Sequence, residues 1–220
     1  MNHLRVLVVV PSGSHWVADF ATSLISLVAK FAAVPVKGYT KHELRVANIK
    51  GSILPKSRLS GVEAAIACDA THLLFLDSDH TFPPDLLHRL LACEKDVVAA
   101  NCVTKTIPAL PTARLKDSAD IHGELVYTDR DSTGLQRVWR VGTGVMLLSR
   151  KAFMQLPRDA FAMEYKTEVA TYQGEDWTMC EALEKAGVPI YIDHGVSWDV
   201  GHVGMLNYTH EYVGTVQRGR

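Results

Sequence analysis

Short β-branched apolar runs alternate with amphipathic stretches over roughly the first hundred residues, a rhythm that predicts βα units stacked into a mostly parallel sheet. RVLVVV (5–10) predicts a first strand buried on both faces. PSGS after it reads as a turn. Ser14 reads as the cap of a helix whose apolar positions Trp16, Phe20, Leu24, Leu27 and Phe31 recur at helical spacing. AVPVKGY (33–39) predicts a second strand, and the Ala-rich PKSRLSGVEAAIACDA (55–70) a helix with Leu59, Val62 and Ile66 on one side. HLLFL (72–76) is continuous in hydrophobicity and predicts the third or central strand. PPDLLHRLLACE then predicts a helix opening on proline, and DVVAANCV (96–103) another strand.

From about 104 to 122 the period is lost among Pro, Thr, Lys and Asp, which predicts a long surface loop. GELVYTDRDSTGLQRVWRV (123–141) predicts two strands around a D-S-T-G turn, GTGVMLLS (142–149) a further strand and RKAFMQL a short helix. GEDWTMCEALEKAGVPIYI predicts a capped helix ending at Gly187, then a strand. The chain therefore reads as α/β, one domain with helices flanking a mostly parallel sheet and a small antiparallel element.

Charge changes that picture little. Lys and Arg number 23 against 24 Asp and Glu, so no global field draws the chain to nucleic acid or an anionic membrane. The four cysteines, Cys68, Cys93, Cys102 and Cys180, are far apart in apolar or helical contexts and read as reduced core thiols. The N-terminal apolar run Val6–Val10 is too short for a signal or membrane segment, so a cytoplasmic protein without a membrane partner is the expectation.

Candidate chemistry begins where HLLFL ends in DSDH. Asp77 and Asp79, one residue apart at the C-terminal edge of a buried strand, serve no core. Two carboxylates there suit a hard cation, Mn²⁺ or Mg²⁺, which takes oxygen ligands and leaves positions open for substrate phosphates. Ligand crevices of open α/β sheets also lie beyond the strands' carboxyl ends. The bland reading is an acidic turn with Asp79 capping the next helix.

HLLFLDSDHTFPPDLLHRLL, VGTGVMLLSRKAF and GEDWTMCEALEKAG occur in an order and spacing that resembles GT-A nucleotide-sugar glycosyltransferases, particularly the family-2-like enzymes of bacteria and their phages, over residues 4–204. The resemblance implies a GT-A-like fold with a nucleotide-binding half (about 1–103), an acceptor and catalytic half (about 104–204) and a C-terminal tail (205–220). It implies that Asp77 and Asp79 form the D-x-D pair around Ser78, that Pro11 and Ser12 hold the nucleotide base, and that Arg58 meets the nucleotide. Asp176, or its neighbour Glu175, falls where inverting members carry the general base. His202 falls where many supply a third metal ligand, with His194 and Asp199 as alternatives. Gly142 and Gly144 give a tight turn or leave room for a sugar. Trp177 and Trp198 read as packing residues before sugar platforms. SRL replaces the usual S-R-N, no acidic residue follows the second strand, and the Q-x-x-R-W motif of processive synthases is absent.

The resemblance thus implies an enzyme moving a sugar from a nucleoside-diphosphate sugar, a UDP-sugar by expectation, to an acceptor hydroxyl. Stand-alone enzymes of this size resemble phage transferases that glycosylate hydroxymethylated pyrimidines, which makes DNA a candidate acceptor beside a glycan or a small metabolite. Lys105, Arg114, Lys116, Arg130, Arg137 and Arg140 would supply its phosphate contacts, or form a solvated face. Two rivals stand. FLDSDHT also fits the D-x-D-x-T of haloacid-dehalogenase-type phosphatases, with Asp77 as nucleophile, although that signature belongs on a first strand. A nucleotide- or sugar-binding module without turnover is the other. VVVPSGSHW lacks the spaced glycines of a dinucleotide site.

Overall fold

The computed structural model describes residues 3–117, 120–167 and 170–213. In chain order the elements are β1 (His3–Ser12), α1 (Ala18–Ala33), β2 (Lys41–Lys50), α2 (Leu54–Ala67), β3 (His72–Leu76), β4 (His80–Thr81), α3 (Leu86–Ala92), β5 (Val97–Ala99), β6 (Arg114–Leu115), β7 (Glu124–Leu125), β8 (Leu135–Val138), β9 (Val145–Ser149), α4 (Arg150–Phe153), β10 (Glu164–Lys166), β11 (Thr171–Gln173), α5 (Glu175–Lys185), β12 (Ile190–Asp193), α6 (His194–Trp198), β13 (Gly201–Val203) and β14 (Asn207–Tyr208), with a 3-10 turn at His210–Tyr212. Of the C-terminal tail, 214–220 lies outside the described residues.

Seven strands form the central sheet in the order β2-β1-β3-β9-β5-β12-β8. Following the pairings across it, five strands run one way, while β9 and β8 run against them. Two separate apolar cores cover its faces. Alternate residues of β1 divide between them: Leu7 and Val9 pack with Val62 of α2 and with Met179 and Leu183 of α5. Leu4, Val6, Val8 and Val10 pack with Phe20, Leu24, Leu27 and Phe31 of α1 and Leu86, Leu87 and Leu90 of α3. That division is the strand's period of two made three-dimensional, and it explains the continuous apolar runs of β1 and β3. Gly61 lets α2 lie close on the sheet, since a Cβ there would fall 2.6 Å from Val9 Cγ1.

Several expected elements are displaced. α1 starts at Ala18 with Val17 before it and no side-chain cap, so Ser14 lies outside the helix, and Trp16 packs edge-on against Phe20 instead. AVPVKGY is not a strand: α1 runs to Ala33, and Gly38, at φ +87°, turns the chain. The second strand is the more polar KHELRVANIK, paired along its length with β1 at the sheet edge, where only one side needs apolar cover. The prolines 83 and 84 precede α3 rather than opening it. β7 and β8 do not pair with each other; β7 joins β6, and β8 joins β12. The expected surface loop after 103 is tied down, with Ala109 and Ala113 fully buried and the Thr112 amide donating to Cys102 O.

The cysteines are free, with Cys102 and Cys180 buried. Among the described residues no helix is long and apolar enough to cross a membrane.

Candidate active site

β3 ends at Leu76, and the next three residues are each pinned by a different part of the chain while the fourth closes the turn. The Asp77 amide donates to Gly144 O, Ser78 O accepts from the Val17 amide, Asp79 O accepts from the Val203 amide, and the His80 amide donates to Asp77 O. β4 then pairs antiparallel with β13, in a register that sets His80 opposite His202. Directly opposed residues of such a ladder bring their side chains together. The two imidazoles stack with centroids 4.2 Å apart and planes 16° from parallel.

Asp79, His80 and His202 each offer a ligand atom, all within 4.8 Å of one another. The His202 Nε2 lies 3.5 Å from Asp79 Oδ1 and the His80 Nδ1 3.3 Å from the same oxygen. His202 Nδ1 lies 2.8 Å from Val103 O, a contact in which Nδ1 donates to the carbonyl and which leaves Nε2 as the nitrogen turned to Asp79. Burial pushes the His80 imidazole towards its neutral form, and among the described residues neither of its nitrogens has a partner in hydrogen-bond geometry. Burial alone would raise the Asp79 carboxyl, but His202, His80 and Lys105 around it outweigh that and hold it well below the carboxylate range. A carboxylate beside two imidazoles, one of them buried and without a hydrogen-bond partner among the described residues, fits a divalent cation such as Mn²⁺. Lys105 Nζ sits 2.5 Å from Asp79 Oδ2, on the other carboxylate oxygen.

The cluster borders a pocket of about 280 Å³ lined by Pro11, Ser12, Gly13, Gly51, Ser52, Leu54, Ser57, Asp77, Ser78, Asp79 and His202. This is the crevice beyond the carboxyl ends of β1 and β3, and Ser12 Oγ donates there to Asn48 Oδ1 at 2.5 Å. Pro11, Ser12, Ser78, Asp79 and His202 of the expected set thus share one pocket.

Asp77 lines it too, but its carboxylate is turned to Arg58, whose Nη2 donates to Oδ1 at 2.9 Å and Oδ2 at 3.1 Å. Arg58 is only 2 % exposed and needs a counter-charge, which is why Asp77 stands apart from the cluster of Asp79, His80 and His202. The same burial removes Arg58 from the pocket surface, where a nucleotide contact was expected. Its Nε lies 3.4 Å from Glu175 Oε1, so one guanidinium joins the end of β3 to the first turn of α5. Gly144 makes room for His80, since a Cβ would fall 2.7 Å from its Cε1. Gly142 packs against Thr112 and lines no part of this pocket. His194 is held by Thr128 and Gln136, and Asp199 by Arg89, so neither alternative joins the cluster. Trp198 stacks on His210.

Across Arg58 lies a second, larger cavity of about 480 Å³, walled by α5, the β10–β11 hairpin, Arg140 and the turn before β7. Asp176 faces it. With Glu175 engaged by Arg58, Asp176 is left without an ion pair among the described residues, and burial, then the neighbouring Glu175, pushes its carboxyl up to about 6. The Asp176 Oδ1 accepts from the Trp177 amide at 2.8 Å. Trp177 itself is covered by Arg140 at 4.6 Å and Arg114 at 5.5 Å, a packing role.

Of the six basic residues proposed for phosphate contacts, Lys105 is on Asp79, Lys116 on Glu184, Arg140 on Glu181, and Arg114 donates to Gly123 O. His80 is the site residue missed in the sequence; its position right after D-x-D was the available signal, but only the β4–β13 pairing turns it inward.

No protein-family model matches the chain, and no curated protein sequence matches it. Solved structures do. Crystallised A197 from STIV is similar with a TM-score of 0.56 and 18 % identity, over 91 % of this chain and 86 % of that one. The catalytic domain of Drosophila β1,4-galactosyltransferase 7, in complex with xylobiose, is similar with a TM-score of 0.51 and 15 % identity, over 91 % and 71 %. A mutant of the Drosophila enzyme with manganese, UDP-Gal and xylobiose scores 0.51 at 14 % identity over the same shares. The chain has a GT-A-like fold.

Proposed function

We propose that this chain is a metal-dependent glycosyltransferase that moves a sugar from a nucleoside-diphosphate sugar to an acceptor hydroxyl with inversion. The observation that carries the reading is the convergence of Asp79, His80 and His202 on the rim of the pocket beyond β1 and β3. The Drosophila enzyme that shares the fold was crystallised with manganese and UDP-Gal, which supports Mn²⁺ and a UDP-sugar as the pair to test first.

In this reading the half up to 103 holds the donor, with Pro11, Ser12 and Ser78 shaping the nucleotide pocket and Asp79, His202 and His80 holding the cation. When bound, the cation supplies Lewis-acid neutralisation of the charge that develops on the leaving diphosphate. The half from 104 to 204 presents the acceptor to Asp176. As the acceptor oxygen bonds to the anomeric carbon and the bond to the diphosphate breaks, Asp176 takes the hydroxyl proton. A carboxyl raised to about 6 is ionised at neutral pH yet basic enough for that task. Arg58 engages Asp77 and Glu175, leaving Asp176 as the free base among the described residues. That hold of Arg58 Nη2 on both oxygens also disfavours Asp77 as a phosphoryl-accepting nucleophile. A hydroxymethylated pyrimidine of phage DNA and a saccharide both offer the neutral alcohol this step needs.

The test is thermal unfolding with UDP, with and without Mn²⁺. UDP at about 100 times its Kd adds about 2.7 kcal/mol, or roughly 5 to 10 °C for a chain of this size. The shift is expected to need Mn²⁺ and to vanish in Asp79→Ala. A UDP shift that ignores Mn²⁺, or persists in Asp79→Ala, removes the metal-dependent donor site.

A further inference from the structure

The cavity at Asp176 has a composition that discriminates between acceptor classes. Its charged wall groups are Arg140, Lys166, Asp176 and Glu181, two of each sign. Both cations are already used: Arg140 pairs with Glu181, and Lys166 lies 2.6 Å from Glu164 and 3.8 Å from Glu181. Asp176 has no such partner among the described residues. An anionic acceptor entering here would meet a carboxylate and no uncommitted cation on the wall, whereas nucleic-acid binding draws its affinity from cations free to neutralise phosphates.

The rest of the wall suits a different ligand. Tyr172 is 66 % exposed, lies edge-on to Tyr165 across the β10–β11 hairpin, and lines the cavity together with Ile121, Thr171 and Asp176, so the wall offers both apolar and polar groups. A pyranose ring has the matching character, with a C–H face for the aromatic and a rim of hydroxyls for carboxylate and hydroxyl partners. The volume, about 480 Å³, lies within the range of sites that enclose small ligands.

We infer that this cavity is the acceptor site for a neutral saccharide, with Tyr172 as its stacking platform. The inference rests on the transferase reading and names the substrate class of that site. Duplex DNA, the alternative acceptor, is disfavoured by the pairing of Arg140 and Lys166 within the wall.

The experiment titrates the full chain, loaded with UDP and Mn²⁺, with xylobiose, cellobiose and lactose, and separately with a duplex carrying hydroxymethylated cytosine, following binding by saturation-transfer NMR and calorimetry. At least one disaccharide is expected to bind with an affinity that hardly changes between about 50 and about 300 mM salt, a range over which ionic screening strengthens markedly. Tyr172→Ala, a change at an exposed position, is expected to weaken it about fivefold or more while leaving the UDP–Mn²⁺ thermal shift intact. Failure of all three disaccharides to bind, an unchanged affinity in Tyr172→Ala, or salt-sensitive binding of the duplex in their place overturns the saccharide assignment. Loss of the UDP–Mn²⁺ shift in the unmodified protein is a different result: it removes the transferase reading itself.

Discussion

Replacing Asp176 by Asn should make the protein more stable at neutral and alkaline pH while removing sugar transfer. In the folded chain burial and Glu175 raise the Asp176 carboxyl from 3.8 to about 6. Between those values the folded state holds a proton that the unfolded state has released, so stability falls as pH rises through the window and levels off above it. The difference of about two pH units, at about 1.4 kcal/mol each, sets an upper limit of about 3 kcal/mol on what ionised Asp176 costs the fold at pH 8. Asn keeps an oxygen to accept from the Trp177 amide and carries no charge, so the variant should escape that cost. The assay is guanidinium unfolding of both proteins from pH 4 to pH 8. Near pH 4 the curves should differ little; at pH 8 the variant should lead by up to about 3 kcal/mol, or roughly 6 to 12 °C in Tm at 2 to 4 °C per kcal/mol. A gap that is constant with pH, or one that favours the wild type at pH 8, would refute the placement of Asp176 as a buried, unpaired carboxylate. A stabilised, inactive variant would also show where the site trades stability for function.

Arg58→Met should destabilise the fold by roughly 2 to 4 kcal/mol, less than for a fully dry pair because Asp77 retains contact with water, and Asp77→Asn in the same chain should recover part of the loss in a double-mutant cycle. Lys105→Met should tighten Mn²⁺ binding in the absence of nucleotide roughly two- to fivefold by calorimetry, since the ammonium on Asp79 Oδ2 competes with the cation in an exposed pair; an unchanged Mn²⁺ affinity would disconnect Lys105 from the site. Gly144→Ala should push His80 from its place and weaken Mn²⁺ binding, while Gly142→Ala, which meets Thr112 at 3.3 Å, should leave it near the wild-type value.

The elements whose residues are buried on both sides were legible in the sequence by itself. The apolar runs Val6–Val10 of β1 and Leu73–Leu76 of β3 are unbroken because both faces are covered, and α5 announces its start in Gly-Glu-Asp and its end at Gly187, which sits at φ +72°. The D-x-D at the end of β3 was legible for the same reason: charge directly after a buried strand has no core to serve. β2 was not, because an edge strand answers to one neighbour and tolerates Lys41, Glu43 and Arg45, so its pattern carries little hydrophobic signal. Local pattern also says nothing of β9 entering between β3 and β5 against their direction, since order and direction in a sheet are set by which strands find each other.

The chemistry divides along the same line. The D-x-D spacing at the end of a buried strand pointed to Asp77 and Asp79, while His202 and Asp176 were candidates only through the resemblance to GT-A enzymes. Which carboxylate binds what was decided by tertiary structure. Arg58, buried on α2, must be neutralised and takes Asp77 and Glu175; Asp176 is left without an ion pair among the described residues, and β4 against β13 delivers His80 to Asp79. Those are contacts between residues far apart in the chain, and the cost of burying a charge without a partner, which selects among them, exists only once the chain has folded around it.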